Sequence, residues 1–157
     1  EREGVGRNYL ISVQVCYGHL GRGYQPEVVL VVVVEVVGKL GKVSGAFHSN
    51  LMEPVASGLR ETLEKIHFRE PVFPIVSNVT GELVTTGAVA KDLLVRQVTA
   101  PVKWSASIGT MLAAGVDQFL EIGPGKVLKT LNRRNARGFQ TSALGEPDDF
   151  AALERSQ

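Results

Sequence analysis

From Pro54 onward the apolar positions fall into alternating helical and strand periods. Val55, Leu59, Leu63 and Ile66 recur at spacings of three and four, which predicts a helix opening at Pro54, where a missing N–H costs no intrahelical bond. Residues 72–79 form an apolar run closed by a Thr80-Gly81 turn and predict a strand, with Pro71 and Pro74 placing its start near an edge. A second helix is expected over residues 88–98, with Val89 and Leu93 inward and Asp92 and Arg96 paired outward, stopped by Pro101. A third begins at Trp104 or Ser105, packs Ile108 and Leu112, and ends at Gly115. Residues 116–122 read as a strand, and Gly123-Pro124-Gly125 turns the chain into a fourth helix carrying Val127, Leu128 and Leu131.

Helices alternating with short apolar strands indicate an α/β layer with some parallel pairing. Three segments follow: residues 1–42, glycine- and valine-rich with apolar clusters at 9–15 and 28–37 that pair as strands around residues 18–26; residues 43–138, with the regular pattern; and a polar tail, residues 139–157. The run at 28–37 contains Glu35 and is too short to span a bilayer, so it reads as buried strand.

Composition narrows the function classes. With 157 residues, 44% apolar and 21% charged, the chain is one ordinary globular domain in size and balance. A formal charge of +1 does not suggest a nucleic-acid partner. The single cysteine, Cys16, forms no internal disulfide, and no Cys/His spacing suits zinc, so no metal is expected.

Three features carry candidate chemistry. His48 lies between a strand end and a helix start, where a group titrating near neutrality can accept and return a proton, or cap the following helix. Gln97, by pattern alone, is a solvated helix residue. The Gly123-Pro124-Gly125-Lys126 turn before a helix has the layout of an anion site, yet lacks P-loop spacing and carries Val127 where Ser or Thr belongs; a structural turn is the better reading.

Taken in order, Ser44-Gly45-Ala46-Phe47-His48-Ser49, Leu51-Met52-Glu53-Pro54, Ser77-Asn78-Val79, Val95-Arg96-Gln97-Val98 with Pro101-Val102-Lys103-Trp104, and Glu121-Ile122-Gly123-Pro124-Gly125-Lys126-Val127-Leu128 resemble the malonyl-CoA:acyl-carrier-protein transacylase family over residues 43–135. The resemblance implies an α/β, partial acyltransferase (α/β-hydrolase-like) fold, with a remnant of the family's ferredoxin-like subdomain expected at the N-terminus. It implies ping-pong transfer of malonyl from malonyl-CoA through a serine to the phosphopantetheine thiol of an acyl carrier protein in fatty-acid synthesis, with no cofactor, nucleic acid or membrane involved. His48 takes the role of catalytic base, and Gln97 that of the residue whose backbone carbonyl holds the other ring nitrogen. Asn78 takes a pocket-lining position, and Phe47 that of the ring that leaves room for malonyl but not for an α-methyl branch.

The family's Gly-His-Ser-x-Gly elbow is not recognisable. Tyr17-Gly18-His19-Leu20-Gly21-Arg22-Gly23 resembles it without the serine, no arginine is assignable to the malonyl carboxylate, and Ser12, Ser44, Ser49 and Ser105 stand outside any elbow context. Two alternatives stay open. One is a polyketide-synthase-type acyltransferase domain. The other is a catalytically incomplete relative that docks a carrier protein, through Lys126, Lys129, Arg133, Arg134 and Arg137. The expected compartment is the cytoplasm, or a plastid if a leader preceded Glu1.

Overall fold

The computed structural model describes residues 13–18, 27–31, 48–123, 125–146 and 148–150. Strands β1 (Val13–Gly18) and β2 (Glu27–Val31) are followed by a short 3₁₀ turn, Asn50–Met52, leading into helix α1 (Glu53–Glu64). Then come β3 (Ile75–Val76), β4 (Leu83–Val84), α2 (Gly87–Gln97), α3 (Trp104–Ala113), β5 (Val116–Ile122), α4 (Val127–Asn135) and β6 (Gln140–Leu144).

The main sheet has the order β2-β1-β5-β6. β1 is antiparallel to both β2 and β5, whereas β6 is parallel to β5, with Phe119 opposite Thr141 and Ile122 opposite Leu144. The β5–α4–β6 crossover supplies the parallel pairing that the alternation of elements predicts. β1 and β2 pair as the two N-terminal apolar clusters suggest, although residues 9–12 and 32–37 lie outside the described residues. The described strands of the first segment are thus members of the main sheet, and nothing in them supports a separate ferredoxin-like subdomain.

The largest core cluster joins Ile108, Met111 and Trp104 of α3, Val116 and Phe119 of β5, Leu128 of α4 and Val76 of β3. Two smaller clusters clamp α2 from both sides. Val95 packs with Ala56 and Leu63 of α1, and Leu93 packs with Val79 and Val84 of the β3–β4 hairpin. The C-terminal half of α2 is therefore fixed by two neighbours.

Several sequence expectations shift. Val55 on α1 and Ile66 just beyond it are exposed, and Ala56, Leu59 and Leu63 face inward instead. Val89, expected inward, is exposed, because Ala90, Leu93 and Leu94 supply the inner face of α2. The strand expected over residues 72–79 contracts to Ile75–Val76, paired antiparallel with a β4 that the sequence did not suggest. Residues 140–144, read as part of a polar tail, form β6.

The entry to α2 is sterically committed. A Cβ added at Gly87 would lie 2.5 Å from the Phe68 carbonyl oxygen and 2.6 Å from that of Arg69, and backbone cannot rotate away as a side chain can. Gly58, within α1, has nothing within 4 Å of the same added atom. Opposite signs are expected in chemical denaturation. Gly87→Ala costs about 1–3 kcal/mol despite alanine's better helix propensity, and Gly58→Ala gains about 0.5–1 kcal/mol. A stabilised Gly87→Ala would contradict the close approach.

Candidate active site

An α-helix ends with carbonyls that have no N–H partner further along the chain, and α2 ends in this way. Its last turn is closed by Val98 donating to Val95 O and by Thr99 and Ala100 donating to Arg96 O. The carbonyls of Gln97, Val98 and Ala100 point instead at His48. The His48 backbone N–H donates to Val98 O at 2.9 Å. Its ring Nδ1 lies 2.9 Å from Gln97 O and 3.1 Å from Ala100 O.

A carbonyl oxygen can only accept, so both ring contacts require Nδ1 to carry the hydrogen. In the neutral ring this leaves Nε2 as the proton acceptor. His48 is also the one non-glycine residue among the described residues with positive φ, at 62°. That backbone state costs about 1–3 kcal/mol, and the three bonds to the end of α2 offset it. The imidazole is half-buried.

Beside this helix end lies a cleft of about 200 Å³ between α2 and the β3–β4 hairpin, lined by Phe68, Ile75, Val84, Leu93, Leu94, Gln97 and Asn78. Asn78 is 2% exposed, and neither its Oδ1 nor its Nδ2 has a partner. Its main chain is anchored, accepting from Lys103 N at 2.8 Å. A fixed amide with unspent donor and acceptor capacity, set in a largely apolar cleft, is suited to a polar group brought in by a ligand.

No protein-family profile matches the chain. Curated relatives do. The chain is 40% identical to the malonyl CoA-acyl carrier protein transacylase of Bacillus subtilis over 107 residues, covering 68% of this chain and 34% of that protein. It is 44% identical to the protein of the same name from Escherichia coli K12 over 110 residues, covering 70% and 36%. Among solved structures, a malonyl-transacylase in complex with a type II polyketide-synthase acyl-carrier protein superposes with a TM-score of 0.66 at 34% identity, covering 73% of this chain and 37% of that one. The chain belongs to the malonyl-CoA:acyl-carrier-protein transacylase family. It spans about a third of the length of the curated relatives it matches.

Within that family relation, the structure brings His48 and Gln97 into direct contact and sets Gln97 and Asn78 along one cleft. Phe47 lies outside the described residues, as do Ser12, Ser44 and the elbow-like stretch at residues 19–23. Ser49 precedes the 3₁₀ turn next to His48, and Ser105 is exposed on α3. His67 is exposed just beyond α1. Among the described residues, no group of three or more His, Cys, Asp or Glu could hold a metal, and no helix is long and apolar enough to cross a membrane.

The glycine turn before α4 has a different occupant from a phosphate. Glu121, 0% exposed on β5, directs Oε1 to Leu128 N at 3.1 Å and Oε2 to Lys129 N at 2.9 Å. The anion at the α4 N-terminus is thus the protein's own carboxylate, and Gly123 and Gly125, with φ of 132° and 99°, let the chain reverse so that strand and helix meet there. Sequence reading missed this role for Glu121, and likewise the Ala100 carbonyl. One signal was present for Glu121: a lone acid amid Phe119, Leu120 and Ile122.

Proposed function

We propose that this chain carries the histidine side of a malonyl transfer from malonyl-CoA to the phosphopantetheine thiol of an acyl carrier protein in fatty-acid synthesis, with His48 as the base. The observation that carries it is the pair of carbonyls, Gln97 O and Ala100 O, on His48 Nδ1. They leave Nε2 as the acceptor, and they orient the ring without the charge of an aspartate.

In the first half-reaction a serine Oγ–H gives its proton to Nε2 while the Oγ–C bond to the malonyl carbonyl forms. The C–S bond then breaks, and the proton on Nε2 goes to the departing coenzyme A sulfur. In the second half the carrier thiol gives its proton to Nε2, the new S–C bond forms, and the proton returns to the serine oxygen as the Oγ–C bond breaks. No cofactor enters either step. Asn78 supplies a hydrogen bond in the cleft beside Gln97, and Phe47 selects malonyl by filling the space that an α-methyl branch would need. A cytoplasmic or plastid setting goes with this reading.

No serine of this chain stands in a Gly-His-Ser-x-Gly elbow, which favours one rival: a relative that binds the carrier but acylates nothing. Incubating the folded chain with malonyl-CoA and holo carrier protein, and weighing both proteins intact, separates the two. Malonylated carrier supports transfer. A carrier that is bound but never malonylated would leave only the docking relative.

A further inference from the structure

Distant in sequence from His48, α4 and the residues around the start of β6 line a pocket of about 320 Å³. Lys129 and Arg133 stand one turn apart on α4 and so share a face, and Arg137, just beyond the helix end, lines the same pocket. The described ion pairs are those of Asp92 with Arg60 and Arg96; neither Arg133 nor Arg137 takes part in one. One opposing group is Asp149, whose carboxyl is held below its ordinary range chiefly by the N–H groups of Gly145 and Glu146, with smaller contributions from Lys126 and Lys129. Lys126 and Lys129 thus act on Asp149, whereas neither arginine is in a described ion pair.

The floor carries the second observation. Asn132 is 1% exposed, its Nδ2 donates to Thr141 Oγ1 at 3.4 Å, and its Oδ1 has no partner. If the amide is turned over, Oδ1 accepts from the threonine and Nδ2 is the atom without a partner. Either way a buried amide faces the pocket with capacity unspent. Phe139 stands at the rim, 43% exposed.

We propose that this pocket binds a phosphorylated nucleoside. The phosphate lies against Arg133 and Arg137, the flat base against Phe139, and a polar edge meets Asn132. Guanidinium groups match phosphate oxygens in pairs, an exposed aromatic ring stacks a base of any identity, and the volume is at the lower end of small-ligand sites. The inference stands independently of the transfer reading, since it uses no residue of the His48 site.

The probe is ADP, titrated calorimetrically into the full chain, with adenosine, inorganic phosphate and polyglutamate in parallel. Saturable ADP binding is expected, falling at least about tenfold in Arg133→Ala/Arg137→Ala. Both positions are exposed, so circular dichroism of that variant should match the parent. Phe139→Ala should erase the advantage of ADP over inorganic phosphate. Absence of ADP binding, adenosine binding as tightly as ADP, or ADP affinity unchanged in the double arginine variant each overturns the proposal. Binding of polyglutamate without ADP also overturns it and makes the face a docking surface for an acidic protein.

Discussion

Malonyl transfer should fall by about 10²–10⁴-fold when His48 is replaced by asparagine, the range that a positioned general base contributes. Asparagine is the informative substitution because it tolerates the left-handed backbone that His48 adopts, whereas alanine adds strain there. The backbone N–H bond to Val98 O survives in the variant, and His48 belongs to none of the three core clusters. Stability should therefore change little while rate collapses. Initial rates of carrier malonylation, with a melting curve on the same sample, check both halves. A variant transferring within about threefold of the parent, well short of that range, would remove His48 from the chemistry.

The second large effect is structural. Glu121→Ala leaves the Leu128 and Lys129 N–H groups without their carboxylate and opens a void where a fully buried side chain stood. An unpaired buried donor such as Leu128 N costs about 1–3 kcal/mol, the part-buried Lys129 N less, and the void adds to this, so a loss of about 3–5 kcal/mol is expected. In a chain of this size that is a fall in melting temperature on the order of 10 °C. Glu121→Gln should lose less, since one oxygen still accepts while the amide NH₂ faces a donor. Equal melting of parent and Glu121→Ala would mean that α4 is capped by something else.

Elements were legible where burial followed side-chain chemistry. α3 and β5 have buried faces built from Trp104, Ile108 and Met111, and from Val116 and Phe119, and the sequence places both within a residue. β6 was illegible because Gln140–Leu144 is fully buried only at Leu144, so no alternation marks it. The β3–β4 hairpin failed for a related reason: two-residue strands carry no period, and Val72 within the apolar run is 88% exposed. α2 misled through Val89, since the small Ala90 takes the inward position.

The site divides similarly. His48 was a candidate from its place between strand and helix, but its role, like those of Gln97 and Asn78, came through family motifs; pattern alone gave Gln97 a solvated role. A backbone carbonyl has no side-chain signature, so the Ala100 contact could not be read from residue types at all. The Glu121 cap links β5 to α4 and required knowledge of which strand end meets which helix.

The end of α2 and the Ala100 carbonyl fix His48 with hydrogen on Nδ1 and Nε2 left to accept. Long-range ¹H–¹⁵N spectra of histidine-labelled protein, recorded above neutral pH, with the His48→Asn variant assigning the signals, test it most directly. A protonated, pyrrole-type Nδ1 and a pyridine-type Nε2 are expected at His48. A ring with hydrogen on Nε2, or one averaging between tautomers, would contradict it.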